Sequence, residues 1–125
     1  MILVDTSVWI DHLRAGNPDL ARLLDHNAVM AHRWVTGELA LGNLHDRAEI
    51  IGLLGDLPQA IIADDDEVMR LIDLEPLHGS GIGYVDAHLL ASAKLTPETR
   101  ISTSDKRLKQ ITARLGLDFE RTSIP

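Results

Sequence analysis

The sequence predicts an α/β fold built on a central parallel sheet with helices over both faces. Two observations carry this. Short apolar runs alternate along the chain with longer segments of helical periodicity, which is the order that lays strands side by side in parallel. Those segments are also punctuated by residues that start and stop helices, such as Asn17-Pro18 and Gly16. A chain of 125 residues that is 45% hydrophobic is long enough to bury one core, so residues 1–125 read as a single domain.

Taken in order, "ILVD" (2–5) is a short buried strand. Thr6 or Ser7 caps the helix "SVWIDHLRAG", which stops at Gly16. "NPDLARLLDHN" is a second helix, with Asn17 as cap and Pro18 at its first position. "AVMAH" (28–32) is a small strand. "RWVTGELALGNL" is helical, with Trp34, Val35, Leu39 and Leu41 as core positions, and "DRAEIIGLLGDL" is a helix ended by Gly55 and Pro58. "QAIIA" (59–63) reads as a strand, and "DDDEVMRLIDLEPL" as a helix whose acids suit its N-terminal dipole. The loop "HGSGIG" leads into an apolar helix over 84–95. "TRIST" (99–103) is a strand, "SDKRLKQITARLG" a helix and "LDFERT" (117–122) a last short strand.

Composition excludes several classes. Without cysteine there is no disulfide framework and no thiolate metal site, which fits a reducing compartment. No stretch has the roughly 18 apolar residues of a membrane span, and the N-terminus lacks a signal-peptide pattern, so a cytoplasmic protein without membrane attachment is expected. A net charge of −7 argues against a broad basic nucleic-acid footprint. Some of that charge instead reads as a carboxylate cluster that needs divalent cations.

Four of the nineteen acids stand where a plain surface acid is not expected. Asp5 ends the first strand, Glu38 lies early in a mostly apolar helix, Asp86 opens the apolar helix after the glycine-rich loop, and Asp105 follows a strand. Each has an ordinary reading when taken alone. Asp86 and Asp105 suit a helix dipole, Glu38 an ion pair with an arginine, and Asp5 a helix cap. In open α/β sheets, however, sites form beyond the carboxyl ends of the strands, where Asp5 and Asp105 fall. Two like charges about 5 Å apart repel by roughly 3 kcal/mol at an effective dielectric near 20. A hard divalent ion reverses that sign, and Mg²⁺ characteristically takes one or two carboxylates, waters and a substrate phosphate. The six histidines are too scattered for a zinc site of helical pairs. Acids, Mg²⁺ or Mn²⁺ and a phosphate together point to phosphoryl chemistry. Asp5 and Asp86 would be the main ligands, Glu38 would position or deprotonate the attacking water or help hold a second ion, and Asp105 would complete the acidic wall, bound through water or directly.

Other motifs lead elsewhere. "GSGIG" (79–83) lacks both the preceding strand and the spacing of a dinucleotide fingerprint. Phosphatases with a nucleophilic strand-end Asp want a second Asp where Ser7 stands, and the acids of a phospho-receiver domain do not map. The run Asp64–Asp66 suits a solvated helix start. Cations for RNA are sought at Arg14, Lys106 and Arg107, with Arg33, Lys94 and Lys109 behind them. Trp9 and Trp34 read as core or dimer contacts.

"ILVDTSVWIDHL", "TGELALG", "GYVDAHLLASA" and "STSDKRL", in that order, resemble the successive motifs of PIN-domain ribonucleases, closest to VapC-type toxins. The resemblance spans essentially the whole chain. It implies a PIN-like α/β/α sandwich with Mg²⁺- or Mn²⁺-dependent endoribonuclease activity that inhibits translation. The family's acids fall on Asp5, Glu38, Asp86 and Asp105, and its supporting hydroxyls on Ser7 and Thr103. It further implies a homodimer neutralised by a cognate VapB-type antitoxin, with operator DNA contacted only through that antitoxin. Two alternatives are a non-catalytic module whose acidic pocket holds a basic peptide, and a PIN-fold nuclease acting on structured DNA.

Overall fold

A computed structural model describes residues 1–121. The elements run β1 (Ile2–Val4), α1 (Thr6–Ala15), α2 (Pro18–Asp25), β2 (Val29–Met30), α3 (Arg33–Leu41), α4 (Arg47–Asp56), α5 (Asp65–Leu74), α6 (Tyr84–Leu95), β3 (Arg100–Ser102) and α7 (Lys106–Leu115). The sheet is wholly parallel with order β2-β1-β3. Leu3 pairs with Met30 on one side and Ile101 on the other. Successive strand side chains point to opposite faces, and Ile2, Leu3 and Val4 are all buried, so helices cover both faces. The α/β class with a parallel sheet is therefore as expected.

The caps explain the helix boundaries. Asn17 accepts from Leu20 N with Pro18 behind it. Asp64 and Glu67 close a capping box at the start of α5, and Gly116 ends α7 in the left-handed region. For α1 the cap is Asp5 itself, not Thr6 or Ser7; Thr6 is already helical.

The sheet edges differ from expectation. "QAIIA" forms one parallel bridge, Ala31 to Gln59, and no strand. Pro58 precedes the pairing, while Ile61 and Ile62 turn to solvent, so the segment leaves the sheet after one rung. "LDFERT" likewise makes a single bridge, Asp118 to Ile101, with Thr122 outside the described residues. Helix α3 stops at Leu41, where Gly42 caps it, and Leu41 is 91% exposed instead of core. Trp34 is also half out of the core at 40% exposure, whereas Val35 and Leu39 are buried. The reason is angular. Trp34 and Leu41 fall away from the stripe defined by Val35 and Leu39, which are four residues apart.

Candidate active site

Parallel strands that run directly into helices bring helix N-termini to the carboxyl edge of the sheet, and this decides where the acids lie. Asp5 follows β1 and caps α1, while Asp105 follows β3 and caps α7. Asp86 lies in the first turn of α6, where its Oδ2 accepts from Gly83 N at 3.2 Å. Three helix dipoles thus direct their positive ends toward the acids.

Asp5 is 5% exposed and anchors the site. Its Oδ1 accepts from Ser7 N, Ser7 Oγ and Val8 N at 2.9, 2.5 and 3.3 Å. Its Oδ2 accepts from Thr103 Oγ1 at 2.5 Å. Each hydroxyl is positioned in turn by the loop after β3. Ser104 N donates to Ser7 Oγ, and Asp105 N donates to Thr103 Oγ1. The two strand ends are therefore tied to one carboxylate. That carboxylate keeps a lone-pair direction on Oδ2, since each oxygen offers about two.

The other acids are less engaged. Glu38 is exposed and accepts one bond, from Thr6 Oγ1 at 2.7 Å. Asp105 uses Oδ1 to cap α7 through Leu108 N. Asp86 is half-buried, and its carboxyl is pushed above the usual carboxylate range. Burial is the main cause; Asp5, Asp105 and Glu38 add like charge, and the Gly83 N–H opposes them. All four predicted acids thus share one field. They do not form a finished cage, because among the described residues no three His, Asp or Glu groups stand close enough to hold an ion. The donor chemistry nevertheless fits a hard divalent cation. The four carboxylates supply hard oxygen donors near enough for Asp5, Asp105 and Glu38 to act on Asp86, and Mg²⁺ needs only one or two carboxylates directly.

The predicted cations separate. Lys106 is exposed at the start of α7. Arg107 leans on the glycine loop, with Nη1 3.5 Å from Gly81 O. Gly81 has φ +87°, a conformation that strains any other residue, and a Cβ there would also lie 2.7 Å from Arg107 Cδ and oblige the arginine to shift. Arg14 lies apart from both, along a groove that starts at Glu38.

Two features escaped the sequence reading. Thr6 holds Glu38 across 32 residues; its position directly after a strand-end acid was the available signal, but only as a cap. Behind the acids lies a histidine layer. His32, 0% exposed, accepts from Trp34 N at Nδ1 and so donates through Nε2 to Ser92 Oγ at 2.9 Å. Its pKa is lowered to about 4, by burial first and by neighbouring His88 second. His88 is 1% exposed, stacks on Trp34 with ring centroids 4.7 Å apart, and meets Tyr84 edge-on. Neither ring nitrogen of His88 has a hydrogen-bond partner; the nearest acid, Asp65, is 3.6 Å from Nε2.

The family model described as PIN domain matches residues 2–113. Ribonuclease VapC32 of two Mycobacterium tuberculosis strains is 46% identical to the chain over 117 residues, which is 94% of this chain and 94% of each relative. Among the described residues, no helix is long and apolar enough to cross a membrane.

Proposed function

The chain belongs to the PIN-domain family, among its VapC-type ribonucleases, and we propose that it is the toxin of a VapBC-type pair, cutting phosphodiester bonds in RNA at the four-acid edge. The observation that carries this reading is Asp86, whose ionised form is disfavoured by burial and by Asp5, Asp105 and Glu38 together. Four acids from four separate stretches of sequence share a field that a divalent cation relieves.

In this reading Asp5 and Asp86 would hold Mg²⁺ or Mn²⁺, and Asp105 would contribute directly or through water. A bound divalent ion supplies Lewis-acid stabilisation of the phosphate and lowers the pKa of water. Glu38, steadied by Thr6, orients the attacking water and accepts its proton. Ser7 and Thr103 fix the rotamer of Asp5 and leave a lone pair of Oδ2 available, which would help to hold the ion. The N-termini of α1, α6 and α7 add favourable potential for the phosphate, as helix starts do for anions. Lys106 and Arg107 border this edge and favour the RNA backbone, Arg107 while also bracing the loop. The whole chain acts as one PIN domain and works as a homodimer. Its partner is a VapB-type antitoxin whose basic tail covers the acids, and operator DNA is reached only through that antitoxin. Cleavage of RNA needed for protein synthesis stops translation.

Purified protein incubated with total cellular RNA in Mg²⁺, Mn²⁺ or EDTA, beside Asp86→Asn, tests the proposal. Discrete fragments are expected with either metal, none with EDTA, and at least a roughly hundredfold loss of rate in the variant. If wild type and variant stay equally inert across several RNA pools, the binding-only reading of the acidic pocket replaces this one.

A further inference from the structure

Beside Glu38 a groove of about 580 Å³ opens between α1 and the segment joining α3 to α4. Its volume lies within the roughly 300–1,000 Å³ of small-molecule sites. Its apolar lining comes from Ile10, Leu13, Leu44 and Ile50. The other elements are polar and mixed in type: Arg14, Asn43, His45 and Asp46.

The joining segment is held in place. Gly42 N donates to Leu39 O, and Arg47 Nε donates to Ala40 O at 3.0 Å. Asp46 sits in the left-handed region at φ +52°, and although it occupies the cap position of α4 its side chain bonds to none of the helix's N–H groups. Its carboxylate is therefore left for another donor. Ile10, at 40% exposure, keeps an apolar surface in water beside the acidic edge.

We infer that this groove is the subsite for one nucleotide flanking the scissile phosphate, and that it sets where the RNA is cut. The inference rests on the ribonuclease reading and goes beyond it. Continuity with Glu38 places an occupant next to the reacting bond. Arg14 matches a neighbouring phosphate with a forked, permanently charged donor set. The aliphatic lining matches the face of an unstacked base. The Asn43 amide presents a donor and an acceptor together, the pattern that reads a base edge, and Asp46 accepts from an exocyclic amine. Single-stranded RNA is recognised through such splayed, individually read bases. A basic peptide fits less well, because it would bring its cations against Arg14.

Two measurements on the full chain test this. The first sequences the fragment ends that wild type, Asn43→Ala and Arg14→Ala produce from an RNA pool of random sequence. Wild type should show a base bias at one position beside the cut, and Asn43→Ala should reduce that bias roughly tenfold. The second titrates AMP, GMP, CMP and UMP into protein held in EDTA and follows NMR signals of Arg14, Asn43 and His45. Saturable shifts there, weakened in Asn43→Ala, are expected. A wild-type bias that neither variant alters, together with no mononucleotide shifts in the groove, overturns the inference. So do shifts produced by a lysine- and arginine-rich peptide and by no nucleotide. If wild type cuts no RNA, the ribonuclease reading fails by itself and the titration still decides the groove: saturable shifts keep a nucleotide site, and their absence removes it.

Discussion

Helix α6 brings two polar side chains inward two residues apart, and their surroundings treat them in opposite ways. Asp86 faces three further acids, with burial and like charge both acting against its ionised form. His88 faces His32, Trp34 and Tyr84, in a layer where burial keeps His32 neutral down to about pH 4. Desolvation is the leading cause at Asp86 and at His32 alike. His32 meets it by giving up charge and becoming core. The acidic edge keeps several charges together, opposed only by hydroxyls, backbone N–H groups and helix ends. Conflict left standing around Asp86 and resolved around His32 separates a candidate site from the core beside it.

The largest test of this contrast is acid stability. An unfolded imidazole binds its proton near pH 6.5, whereas folded His32 binds one only near about 4. The unfolded chain therefore holds more protons in that window, and stability present at neutral pH drains away as pH falls through it. His32 alone should cost the wild type on the order of 3 kcal/mol between pH 7.5 and pH 4. In urea unfolding, His32→Gln should be weaker at neutral pH yet lose this part of the slope. Parallel curves for both proteins would show that His32 is not buried neutral.

The second test inverts the sign at the acidic edge. Asp86 has a raised pKa, so its contribution opposes folding once pH rises through the carboxyl range and disappears below it. Asp86→Asn without metal should therefore melt a few degrees above wild type at pH 7.5, a difference that closes toward pH 3. Mn²⁺ at a hundred times its Kd should stabilise wild type by about 2.7 kcal/mol and the variant far less. Equal shifts in both proteins would place the ion away from Asp86.

The smallest effect concerns Thr6. Thr6→Val removes the donor to Glu38 Oε1 on an exposed surface, so unfolding should change by less than about 1 kcal/mol. Cleavage should slow roughly threefold to tenfold through loss of orientation, and Thr6→Ser should restore it. Failure of serine to rescue would assign the effect to packing.

The sheet centre and the acids were readable because local chemistry dictates them. Apolar runs at 2–4 and around Ile101 must be buried, and acids placed just after them land on the strands' open edge. The edges of the sheet were not readable. Whether "QAIIA" pairs over one rung or five depends on how far β2 extends, and nothing within those five residues states that. Apolar character alone placed Trp34 and Leu41 inside, whereas the helical angle set by Val35 and Leu39 turns them outward. At the site, the residue types stood in the motifs, but the distribution of lone pairs did not. That Asp5 would be tied by Ser7 and Thr103, and Glu38 by Thr6, depends on contacts between distant segments.

Asp5 knots the ends of β1 and β3 as well as standing among the acids, and this bears on how a lineage disarms such a toxin. Substitution at Asp5 removes a buried carboxylate that four hydrogen bonds engage, and so endangers the whole molecule. Substitution at Asp86 removes a charge that burial and its neighbours oppose, and so eases the fold. Descendants that lose Asp86 therefore persist as intact proteins, whereas those that lose Asp5 are cleared, so the two acids leave different traces in a lineage.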